Sequence, residues 1–130
     1  MRTEVLNYID TLSLGTYTKS SNLPYTASGQ LLYITNPKTI YVDQPNITED
    51  PVITALDGVH LNNKVQSVII YFSSDAKSLP ANYTTLVNDL KNAKNITTVS
   101  GVHRRESDVN QSYQGDLLIT EIAVRLITIT

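Results

Sequence analysis

His60 and His103 are the only two imidazoles in the chain. Each falls in its own segment without a second ligand at metal-binding spacing. A metal site would have to draw most of its ligands from Asp and Glu, so both histidines read as structural or surface groups. Ser100-Gly101-Val102-His103 sets a hydroxyl near an imidazole in sequence, which fixes no geometry, and no Gly-x-Ser-x-Gly elbow occurs. The 5 glycines are scattered, so they assemble no phosphate loop. Glu49-Asp50 and Asp57 could be paired carboxylates or part of a calcium loop. Their neighbours do not follow the pattern of alternating oxygen ligands, and a solvated loop is the better account. The triplets at Asn46, Asn82, Asn95 and Asn110 match glycosylation acceptors, but a chain this rich in Asn, Ser and Thr produces such matches by chance. With no Cys, disulfides, thiolate ligands and Cys nucleophiles are excluded. The expectation is a protein that is not an enzyme and needs no cofactor.

The densest charge cluster is His103-Arg104-Arg105-Glu106-Ser107-Asp108. Adjacent arginines followed by acids suit an ion-pair patch between subunits, because the guanidinium fork grips carboxylates in two directions. The plainer reading is an exposed loop whose charges meet only water, where such pairs contribute about 0–1 kcal/mol.

The elements that must position this cluster follow from hydrophobic spacing. Val5, Leu6, Ile9 and Leu12 form a stripe on a helix over 2–12, with Thr3 as its N-cap. Residues 16–30 read as an irregular connection, and Leu31–Thr35 and Thr39–Asp43 as strands around an Asn36-Pro37-Lys38 turn. Gln44–Pro51 reads as a loop, since two prolines keep it out of a central ladder. Val52–His60 reads as a strand interrupted at Asp57-Gly58. In the strand Lys64–Ser73, Val68, Ile70 and Phe72 share one face while Ile69 and Tyr71 occupy the other. A strand apolar on both sides is covered twice, or meets another subunit.

Ser78-Leu79-Pro80 announces a second helix carrying Tyr83, Leu86, Val87, Leu90 and Ala93, with Lys91 and Lys94 in its last turn. Residues 95–102 read as a short strand, the charge cluster and residues 109–115 as loop. Residues 116–130 read as a long closing strand, with Leu118, Ile122, Val124 and Leu126 on one face and Ile119, Glu121, Ala123, Arg125 and Ile127 on the other. This order gives an α+β class: a mixed or antiparallel sheet flanked by two helices, packed on one face, with a long C-terminal strand.

Length and composition set the frame. A chain of 130 residues matches a single domain over 1–130, and a 41% hydrophobic fraction suffices for one core. A net charge of −2 gives no electrostatic reason to expect nucleic acid or an anionic membrane. The opening residues lack the apolar core of a signal peptide, and no stretch is long enough to span a bilayer. Synthesis in the cytoplasm as a soluble protein is expected. Tyr (8) far outnumbers Phe (1), which suits half-buried surfaces where a ring packs and its hydroxyl stays hydrogen-bonded; codon bias of an AT-rich genome would give the same usage.

The segment from Val102 to Asp108, the polar stretch after it and the closing strand from Gly115-Asp116-Leu117-Leu118-Ile119-Thr120 onward resemble the tail-terminator proteins of long-tailed bacteriophages. In lambda-like members a similar arginine-and-acid cluster precedes a polar loop and a final strand. The opening helix with Thr3-Glu4 and the strand-then-helix stretch Val65–Ala93 fall in matching places, whereas residues 13–60 show little that matches.

The resemblance implies a virion structural protein of the tail and neck. It implies a homo-oligomeric ring, a hexamer, that caps the tail tube protein and joins it to the head–tail connector or stopper. No direct nucleic-acid recognition and no membrane are implied. Ile69 and Tyr71 would be buried between subunits, and Arg104, Arg105, Glu106 and Asp108 would make ring or connector contacts. Two alternatives stand beside it. One is another tail or neck component, a tube subunit or connector stopper. The other is a small ligand-binding domain with an apolar pocket.

Overall fold

Alternation decides the core. In the computed structural model, which describes residues 1–54 and 60–129, the fold is α+β. A six-stranded, mostly antiparallel sheet runs in the order β1-β2-β4-β6-β5, with β3 also joined to β4. The strands are β1 Thr18–Lys19, β2 Thr39–Val42, β3 Asn46–Thr54, β4 His60–Asp75, β5 Val102–Gln114 and the long β6 Leu117–Ile129. The helices are α1 Arg2–Asp10, α2 Leu32–Thr35 and α3 Tyr83–Lys91, the last followed by a 3-10 turn over Asn92–Asn95.

Val68, Ile70 and Phe72 of β4 and Ile122, Val124 and Leu126 of β6 are almost wholly buried, as are Ile40 and Val42 of β2. Onto this face α1 lays Val5 and Ile9, and α3 lays Tyr83, Leu86 and Leu90. Phe72 lies edge-on between Tyr17 and Tyr83, at ring-centroid distances of 5.5 and 6.2 Å. The two helices are tied by Tyr8, whose hydroxyl donates to the Asp89 carbonyl at 2.7 Å. Gly15 has φ +61, and a Cβ there would come within 2.6 Å of the Asn82 side chain, which donates to the Leu14 carbonyl. The turn after α1 therefore requires glycine.

Several elements differ from the sequence expectation. The first helix starts at Arg2, so Thr3 sits exposed in its first turn instead of capping it. Leu32–Thr35 is a short helix, not a strand. It lies on the face opposite α1 and α3, because Tyr33 stacks on Tyr71 with centroids 4.8 Å apart. Both faces of the sheet thus carry a helix at the Tyr71 end. Neighbouring hydroxyls record this double cover: Ser73 donates to the Tyr33 carbonyl on one side, while Ser74 bonds the Tyr17 hydroxyl at 2.8 Å on the other.

The supposed loop 44–51 is largely strand. β3 continues β2 along the same edge of β4, displaced by one residue: Val42 pairs with Ile70 and Asn46 with Ser67. Pro45 falls in that break, and a second irregularity follows Pro51. The prolines did exclude this segment from the sheet interior, but not from its edge. Of the strand expected over Val52–His60, Val52–Thr54 and His60 belong to β3 and β4; Asp57-Gly58 lie outside the described residues.

Residues 96–101 are irregular, and β5 begins at Val102. It takes in both the charge cluster and the polar stretch after it. β5 pairs with β6 without a break from Arg104, which faces Ile127, to the turn, where Gln114 faces Leu117. Gly115 has φ +59 while Asp116 is not in the left-handed region, the signature of a two-residue II′ turn with glycine first.

Candidate interaction surface

Strand geometry sends neighbouring side chains to opposite faces, and this separates the four charged residues of the cluster. Arg104, Glu106 and Asp108 face Ile127, Arg125 and Ala123 across the ladder, on the side away from α1 and α3. There the Arg104 guanidinium reaches Glu106, with Nε–Oε1 at 2.6 Å. Arg125 bridges Glu106 at 3.4 Å and also holds Asp108. The result is an alternating network, Arg104–Glu106–Arg125–Asp108, on the outward sheet surface. Hydrogen bonds from Arg104 and then Arg125 hold the Glu106 carboxyl below its ordinary pKa.

Arg105 is not part of it. Its side chain passes to the helix side and donates to the carbonyls of Lys94 and Ile96, at 2.9 and 2.6 Å. These carbonyls end the 3-10 turn and need donors, so the guanidinium acts as a cap. The expectation that both arginines share one contact patch is corrected: Arg104 belongs to the outward surface and Arg105 to the internal scaffold. The placement of the cluster in a loop is corrected with it.

Ile69 and Tyr71 do share the outward face with the network. The ladder sets Ser67, Ile69 and Tyr71 of β4 beside Arg125, Ala123 and Glu121 of β6. Ile69 and Ala123 remain half-buried, with no described helix over them. Tyr71 is different, since Tyr33 covers one side of its ring. Behind it Tyr41 is buried, its hydroxyl accepting from the Asn36 amide at 2.9 Å. Burial first, then the charges of Glu121 and Asp43, pushes the Tyr71 hydroxyl up to about 12. The carboxylate of Asp43 likewise raises the exposed Tyr25.

Sequence reasoning placed Arg125 and Glu121 outward but missed their roles. Arg125 becomes a hub only when β5 is recognised as its neighbouring strand. The tyrosine group is hidden in the sequence because Tyr33 lies in a segment with the pattern of a strand.

Two open grooves flank the N-terminal helix, of about 460 and 380 Å³. Glu4 borders both, Lys64 is the other charged residue of the larger, and Thr97 and Thr98 line the smaller. His103 is exposed on β5. Among the described residues no three His, Cys, Asp or Glu side chains gather to hold a metal ion, and no helix is long and apolar enough to cross a membrane. No protein-family model and no curated protein matches the chain.

Proposed function

We propose that the chain is a virion structural protein, a ring-forming subunit of the tail-terminator type that caps a tail tube and meets the head–tail connector. The observation that carries this reading is the outward sheet face. Ile69 and Ala123 lie on it half-buried and uncovered, next to an ion-pair network that is already internally paired. A flat surface of this kind loses little on docking, because its apolar centre gains burial and its charges keep their partners. The described outward charges alternate in sign, which supports protein contact over nucleic-acid binding.

Assembly at the end of a tube asks for a rigid body with two unlike faces, so that growth stops after one ring. A sheet carrying two helices on one side and a mostly open surface on the other supplies such a difference. The ligand-binding alternative has weaker support: among the described residues the charged groups of the two open grooves are Glu4, Lys64 and the Met1 amino group, which Glu4 already pairs at 2.8 Å.

Electron microscopy of the purified chain, alone and mixed with isolated tail tubes, tests the proposal. Closed rings, or density added only at tube ends, are expected. Ile69→Glu should remain folded and lose this assembly. Long cylinders formed by the chain alone would turn the reading into a tube subunit, and a lasting monomer that ignores tube ends would overturn it.

A further inference from the structure

The two edges of the sheet are built differently. On one side the β2–β3 edge is broken by the Asp43–Pro45 step, by Pro51 and by a register shift, and β1 adds only a two-residue strand. Such interruptions block the addition of foreign strands. The other side has no such protection. Among the described strands β5 pairs only with β6, in unbroken register from Arg104 to Gln114. Its distal half, Val109-Asn110-Gln111-Ser112-Tyr113-Gln114, carries no charge, proline or glycine, and is exposed beyond Val109. Tyr113 is 75% exposed, the most of any large apolar residue described. On the helix side of the same strand, Ser107 Oγ is shut off from solvent with no hydrogen-bond partner among the described residues.

We propose that this edge is a homodimer interface, in which β5 pairs antiparallel with β5 of a second copy about a two-fold axis through Val109. The register follows from symmetry and charge. Opposite residues in a sheet share a face, so a two-fold pair needs position numbers with an even sum. Pairing about Val109 makes the sum 218 and overlaps the whole straight segment, Arg104 facing Gln114. It sets Glu106 opposite Ser112, Asp108 opposite Asn110, and Arg105 opposite Tyr113, so no like charges meet. Shifting the axis to Asp108 or Glu106 sets that acid against itself, and an axis at Ser107 sets Glu106 against Asp108. The Val109 register also covers both unexplained groups. Ser107 comes opposite Gln111, whose amide nitrogen donates to the Tyr83 hydroxyl and leaves its oxygen free to accept. Tyr113 packs beside the guanidinium of Arg105. The pairing concerns the edge of the sheet and is independent of the face used in the ring proposal.

A cysteine-free chain permits a direct test. Paired residues on the axis have Cα atoms about 4.5–5.5 Å apart, within disulfide reach. Under mild oxidation Val109→Cys should give a covalent dimer. Ser112→Cys, displaced from its own copy by six residues along the strand, should not. Sedimentation over a dilution series should show a reversible dimer, weakened about tenfold in Ser112→Glu and tightened by a similar factor in Ser112→Lys. The same two substitutions at Ser78, an exposed loop position, should change neither. A monomer at every concentration overturns the proposal. So does an oligomer in which Val109→Cys fails to link, Ser112→Cys links as readily, or Ser112→Glu leaves the affinity unchanged.

Discussion

Two arginines adjacent in sequence have separate physical roles, and stability measurements should tell them apart. Arg105 satisfies two carbonyls that end the 3-10 turn, so Arg105→Ala should cost about 1–3 kcal/mol in urea unfolding. Arg104 pairs with Glu106 in an exposed setting, and Arg104→Ala should cost no more than about 1 kcal/mol. Equal costs would refute the division. Glu106 adds a pH signature. Its carboxyl is lowered in the folded state, so its contribution is complete above the ordinary value of 4.5 and fades as the pH falls through the lower folded value. The melting-temperature difference between the wild type and Glu106→Gln should be constant near neutrality and close as the pH drops below 4.5. Tyr71 behaves oppositely: its raised hydroxyl favours the fold up to pH 10, and that contribution is lost as the pH climbs through about 12. Glu121→Gln should bring the latest part of an ultraviolet tyrosine titration downward, and Tyr71→Phe should remove one tyrosine from it while the other raised tyrosines still titrate late.

Among the elements, β5 shows where pattern reading succeeds and where it stops. The spacing of Val68, Ile70 and Phe72 and of Ile122, Val124 and Leu126 was legible because each position is paid in buried area. β5 reads as loop in the sequence because its outward residues are charged and its distal half reaches past the core, so no apolar alternation survives to mark it. Only its partner β6, apolar and long, supplies the ladder. Tyr33 misled for the converse reason: Tyr33, Ile34 and Thr35, all of β-favouring type, fold with Leu32 into one helical turn because stacking on Tyr71 outweighs propensity. The candidate surface was correspondingly half legible. Ile69 and Tyr71 were placed outward correctly, whereas grouping Arg105 with Arg104 required a loop that does not exist. The hairpin turn gives a test at this scale. A Cβ at Gly115 meets nothing within 4 Å, so Gly115→Ala should cost only the left-handed backbone penalty, about 1–2 kcal/mol in the melting transition.

For the molecule as a whole, β4 and β6 form the central pair of the sheet and join the middle of the chain to its last strand, paired from Asn63–Ile129 to Asp75–Leu117. Phe72 lies at the centre, wholly buried between two tyrosines. Phe72→Ala should cost about 3–5 kcal/mol, which a domain of this size withstands poorly; a loss under 1 kcal/mol would show that the packing described is wrong. The β5–β6 hairpin also constrains how the gene can change. Its sides alternate residue by residue, so deleting a single codon between Arg104 and the turn would exchange inside and outside for everything upstream. Arg105 would leave its carbonyls, and Glu106 would swing under the helices without a counter-ion. Length variants of this hairpin are therefore expected to survive only in steps of two residues, or as changes confined to the turn itself.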